Sequence, residues 1–99
     1  MIILAGHLVT KPELVEELAA TLQSLVADTL KEDGCLDYNF AIQDRAAGSI
    51  LVYERWRDQD ALNVHLALPQ IGAVLGGWAD KIEIKVAKFD ALNQRGLTD

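Results

Sequence analysis

Cys35-Leu36-Asp37-Tyr38-Asn39-Phe40-Ala41-Ile42-Gln43, followed by Asp44-Arg45-Ala46-Ala47-Gly48-Ser49 and then by Ile50-Leu51-Val52-Tyr53-Glu54-Arg55-Trp56-Arg57, is the stretch whose reading decides the fold. Its first part alternates. Leu36, Tyr38, Phe40 and Ile42 fall on one side and Asp37, Asn39, Ala41 and Gln43 on the other, which is the two-residue period of a strand. The polar middle with Gly48 reads as a turn. The β-branched and aromatic residues after it read as a second strand, so the stretch predicts a β-hairpin.

Upstream of the hairpin the period changes. Leu14, Leu18, Leu22, Leu25 and Val26 recur every three or four residues, with Glu16, Glu17, Gln23 and Thr29 between them, and predict a helix with one buried stripe that Gly34 stops. Thr10-Lys11-Pro12-Glu13 fits a capping box in which the Thr10 hydroxyl accepts from the Glu13 amide. The apolar run from Ile2 to Thr10 before it predicts a first strand. Downstream, Asp58 offers a cap to a second helix through Ala61, Leu62, His65 and Leu66, which Pro69 interrupts. Only a weak further turn or two is expected from Gln70 to Leu75, because Gly72, Gly76 and Gly77 each lower helix stability by up to ~1 kcal/mol. Ile82, Ile84 and Val86 against Glu83, Lys85 and Lys88 predict a last strand. The order is α+β, a ferredoxin-like β-α-β-β-α-β fold with both helices on one face of an antiparallel sheet. Residues 1–92 make the domain and 93–99 a C-terminal tail.

The chain of 99 residues has room for one core, and 51% hydrophobic with 24% charged residues is globular composition. A net charge of −6 repels a phosphate backbone, so nucleic acid is not an expected partner. No apolar run approaches the ~20 residues of a membrane helix, and the Met1-Ile2-Ile3-Leu4-Ala5 start has no basic segment. A cytoplasmic protein without a membrane partner is expected. Cys35 is single and belongs to no ligand spacing, so neither a disulfide nor a metal site is signalled. Two strands are apolar on both sides: Ile2, Leu4 and Leu8 back Ile3, Ala5 and Val9, and Ile50, Val52 and Trp56 back Leu51 and Tyr53. Two helices cover one face only. The other face predicts a homodimer packed sheet to sheet, bordering a pocket.

Several residues together resemble the antibiotic-biosynthesis monooxygenase family, and the likeness spans nearly the whole chain. They are Gly34-Cys35 leading to Tyr38, the E-x-W of Glu54-Arg55-Trp56, and the A-L-x-x-H of Ala61-Leu62-Asn63-Val64-His65 with Pro69 beyond. The chain is most similar to the family's quinol-monooxygenase-like members. That resemblance implies a dimeric α+β barrel and oxidation of a phenol or quinol by dioxygen without metal, flavin or haem. Related haem-degrading domains carry an Asn on the first strand and a Trp and a His on the second helical region. Gly6, His65 and Leu75 stand at those places here, and none matches.

His65 is the candidate catalytic base, since imidazole titrates near neutral pH, and its alternative is a packed or capping histidine. His7 on the first strand is either a second donor to substrate or an interface histidine. Tyr38, Tyr53, Trp56 and Trp78, with Phe40, offer flat walls to a planar substrate and equally well make ordinary core. Asn39 either orients a phenolate or sits on the surface, and Glu54 is either a buried proton acceptor or half of a salt bridge. The reading expects a cofactor-independent monooxygenase acting on a small aromatic substrate with dioxygen. Its alternatives are a non-catalytic ligand-binding or stress-related module, and an isomerase of a small phosphorylated sugar, for which Arg55, Arg57, Lys85 and Lys88 are the available strand cations.

Overall fold

The computed structural model describes residues 1–99. Strands β1 (Ile2–Thr10), β2 (Cys35–Asp44), β3 (Ser49–Trp56) and β4 (Ile82–Asp90) form one sheet in the order β2-β3-β1-β4, every adjacent pair antiparallel. Helices α1 (Val15–Gln23), α2 (Val26–Thr29), α3 (Gln59–Leu66) and α4 (Pro69–Trp78) make the connections. The element order is that of the ferredoxin-like fold read from the sequence, with each predicted helical region divided in two.

Register sorts the side chains. Leu4 pairs with Glu54 and Lys88, and Leu8 with Ile50 and Ile84, while Tyr38 faces Glu54 and Phe40 faces Val52 across the β2–β3 hairpin. These residues share the face toward the helices, because side chains alternate along a strand. That face supplies the core in two clusters, one around Leu8, Leu18, Leu22, Ile50 and Trp78, the other around Ile2, Tyr38, Trp56 and Leu62. The space between the clusters becomes the site described below.

Three local expectations are corrected. Thr10 does not cap a helix: it remains in β1, and its hydroxyl donates to the Lys81 carbonyl at 2.8 Å, tying the strand to the turn before β4. A 3-10 turn over Pro12–Leu14, with Lys11 at its start and no side-chain cap, leads into α1 instead. The first helical region is also broken. Ser24 donates its hydroxyl to the Thr21 carbonyl at 2.6 Å and the Leu25 amide bonds Leu22, so α1 ends and α2 starts afresh. Beyond α3, Pro69 begins a full helix rather than merely ending one, as its missing N–H costs nothing at a first position. The last strand runs on to Asp90, and no helix or strand follows.

Gly6 is the one strand position where glycine is obligatory. Its φ of 152° and the approach of β4 would put a Cβ 2.1 Å from the Lys85 carbonyl oxygen. No helix is long and apolar enough to cross a membrane.

Candidate functional site

The Asp58 cap fixes where α3 starts, since its carboxylate accepts from the Ala61 amide at 2.8 Å. His65 then falls near the end of the helix on the side facing the sheet and is 2% exposed. Its ring packs on Trp56, centroids 4.6 Å apart, and meets the edge of Tyr38 at 5.3 Å. Nδ1 stands 3.0 Å from both carboxylate oxygens of Glu32, in the turn between α2 and β2. A carboxylate accepts only, so the proton belongs on Nδ1 and the lone pair on Nε2.

Glu54 on β3 is the second polar group, 8% exposed. Its Oε1 accepts from Trp56 Nε1–H at 3.0 Å. Burial pushes its carboxyl above the ordinary carboxylate range and the Glu32 charge adds to this, while the Trp56 bond and the nearby His65 act in the opposite sense. No Lys or Arg reaches it within ion-pair distance. Tyr38, buried beside it, has its phenol held well above the usual range, first by burial and then by the Glu54 charge, and so stays a donor. Burial likewise pushes the Cys35 thiol up to about 11, which keeps it from acting as a thiolate nucleophile.

His65, Glu54 and Tyr38 border one cavity of about 210 Å³ between sheet and helices. Leu4, Leu8 and Val52 line it from the sheet, Leu22 and Leu25 from the α1 end, and Ile71 and Val74 from α4. Leu75 and Ile84, 41% and 59% exposed, stand at its rim. Apart from Glu54 and His65, every lining side chain is hydrophobic. A largely apolar cavity with a base and a weak acid can deprotonate a hydroxyl and hold the resulting oxygen.

The other sequence candidates are distributed differently. His7, Asn39 and Tyr53 occupy the alternate positions of their strands, so they face away from the helices, on the side of the sheet opposite the cavity. Trp56, fully buried, stands behind the site and touches it through Glu54 and His65. Trp78 is not a cavity wall: it packs in the core against the Leu8 cluster. Of the aromatic candidates only Tyr38 and Phe40 line the cavity.

One residue of the site, Glu32, was not among the sequence candidates, and no signal pointed to it, because its contact is with a residue 33 positions away. Glu54 was a candidate through the strand face it shares with Val52 and Trp56, and it is buried without a salt bridge. The strand cations are engaged elsewhere: Arg55 with Asp37, Arg57 with Asp33 and Asp58, Lys85 near Glu83, Lys88 on Gln59. None lines the cavity. No three His, Cys, Asp or Glu side chains are gathered to hold a metal ion.

A family model for antibiotic biosynthesis monooxygenase matches residues 1–75. An uncharacterised protein of Synechocystis, sll1783, is 34% identical over 68 residues, covering 69% of this chain but only 46% of that protein, so the match takes in less than half of that relative's length. A candidate monooxygenase of Bacillus subtilis, YcnE, is 31% identical over 65 residues, 66% of this chain and 68% of that one. Among solved structures, a candidate antibiotic biosynthesis monooxygenase from Deinococcus radiodurans has a TM-score of 0.85 at 26% identity, covering 98% of each chain. Rv0793 of Mycobacterium tuberculosis shares the fold, with a TM-score of 0.82 at 21% identity over 94% of this chain and 96% of that one.

Proposed function

The chain belongs to the antibiotic biosynthesis monooxygenase family, and from that premise we propose that it oxidises a small phenol or quinol with dioxygen in the cavity between sheet and helices. One observation carries the reading: His65, buried and clamped through Nδ1 by Glu32, borders a cavity whose other walls are almost wholly apolar.

In this mechanism Nε2 takes the proton of the ring hydroxyl, and Glu32 stabilises the imidazolium that forms. The phenolate is electron-rich and reacts with dioxygen at a ring carbon. One oxygen atom stays on that carbon and the other leaves as water, which carries away the ring hydrogen and the hydroxyl hydrogen. The substrate supplies every electron, so no further reductant enters the balance and no bound cofactor is invoked. The apolar walls suit a planar ring and exclude the water that would stabilise the phenolate. A phosphorylated sugar fits poorly, since none of the strand cations turns toward the cavity to meet a phosphate.

Oxygen uptake and quinone formation across a panel of phenols and quinols test the proposal. His65→Gln protein that keeps its far-UV circular dichroism is expected to lose roughly 10²–10⁴-fold in kcat/KM, the share a general base supplies. Equal rates for the two proteins would remove His65 from the mechanism. Ligand binding without oxygen uptake would leave a non-catalytic binding module.

A further inference from the structure

The mechanism above leaves the one carboxyl that lines the cavity unused. Glu54 is buried, lines the cavity, and has no cation within ion-pair distance to balance a negative charge. The groups facing it come from every neighbouring element. His65 comes from α3, Tyr38 and Cys35 from β2, Glu32 from the turn before β2, and Lys88 from β4 on the far side of Leu4, its ammonium already on Gln59. An ionised carboxylate here would be desolvated and would face a second carboxylate. The protonated form avoids both costs, and burial raises the group's pKa in that sense. Trp56 fixes the orientation. By donating to Oε1 at 3.0 Å it occupies one oxygen and leaves Oε2 free to serve the cavity.

Resting on the reading of this cavity as the substrate site, we propose that Glu54 is an uncharged carboxyl donor that hydrogen-bonds the ligand's oxygen, so that the site selects small, uncharged, hydroxyl-bearing aromatics and rejects aromatic carboxylates. A hydroxyl is both donor and acceptor. Nε2 of His65 accepts from it and Glu54 donates to it, a pairing that neither a carboxylate nor an ether completes. The remaining lining is hydrophobic, so the ligand carries its oxygen at one end and an apolar body at the other. An engineered apolar cavity of about 150 Å³ holds benzene. The cavity of about 210 Å³ therefore suits one ring or two fused rings.

Two probes of matched size test the selection by calorimetric titration: naphthylmethanol, whose hydroxyl does not titrate, and naphthoate, its anionic counterpart. Wild-type protein is expected to bind the alcohol at least about tenfold more tightly than naphthoate near neutral pH. As pH rises beyond the ordinary carboxylate range, affinity for the alcohol is expected to fall as Glu54 loses its proton. Glu54→Gln keeps a donor and cannot ionise, so it binds the alcohol without that fall. Trp56→Phe removes the bond that favours the carboxylate, so Glu54 holds its proton longer and the fall moves to higher pH. If Glu54→Gln does not fold, the wild-type selectivity and the Trp56→Phe displacement decide.

Equal binding of the two probes, a pH profile shared by wild-type and Glu54→Gln proteins, or no binding of the alcohol each overturns the inference. The monooxygenase reading fails separately, by absence of His65-dependent oxygen uptake with quinols.

Discussion

Glu32 and His65 form the contact on which the site turns, and sequence patterns are blind to it. Alternation along β3 put Val52, Glu54 and Trp56 on one face, and the spacing after Asp58 put His65 on the buried side of a helix. A residue in an irregular turn has no period, so nothing announced that Glu32 would reach Nδ1. Its work is orientation, which makes a specific expectation. Glu32→Gln lowers kcat at least about tenfold with little change in KM, well short of the ~10⁴ lost when the orienting carboxylate of a serine-protease triad is neutralised. A loss confined to KM, read from steady-state oxygen uptake, would instead make Glu32 a binding residue. Cys35 gives a second expectation at this scale. With its thiol pushed up to about 11, alkylation by iodoacetamide near pH 8 is expected to run on the order of 10²-fold slower than for free cysteine, whose pKa is about 8.5. Mass spectrometry of timed samples reads the rate, and labelling at the free-cysteine rate refutes it.

Among the elements, α4 shows how local propensity misleads. Its glycines weaken any isolated helix, so the sequence supports only a turn or two there. The structure carries ten residues, Pro69–Trp78, because Ile71 and Trp78 bury themselves against the rest of the fold and tertiary packing outweighs propensity. The glycines themselves meet nothing: a Cβ added at Gly72, Gly76 or Gly77 finds open space within 4 Å. Alanine at Gly76 or Gly77 is therefore expected to stabilise the protein by ~0.4–1 kcal/mol in urea unfolding. Gly6→Ala has the opposite sign, because φ is 152° and the Lys85 carbonyl would stand 2.1 Å from the new methyl group. A loss of about 1–3 kcal/mol is expected there. Equal effects at the two kinds of site would mean that backbone conformation does not govern either.

For the molecule as a whole, the surplus of apolar sheet noticed in the sequence takes a definite place. Leu51, Tyr53 and Phe89, 42%, 43% and 53% exposed, share the helix-free face with Ile3, Ala5, His7 and Val9. His7, Asn39 and Tyr53 drew attention as substrate contacts because composition does not say which side of a sheet a pocket will occupy. The same period of two that placed Tyr38 and Glu54 over the cavity places these three on the bare face. A patch of this character on a chain of net charge −6 calls for a cover, and we propose a second copy as that cover, since a two-fold axis would set each apolar face against its equal. Sedimentation equilibrium is expected to give a mass twice the 10.9 kDa of the chain. Leu51→Lys, which buries a charge at the centre of such an interface, is expected to shift the population toward monomer while far-UV circular dichroism stays unchanged, because Leu51 contributes nothing to the core beneath the helices. A wild-type protein that sediments as a single chain at micromolar concentration leaves the bare face uncovered and defeats the sheet-to-sheet pairing. The cavity on the other side, lined by the chain's own sheet and helices, stands in either case.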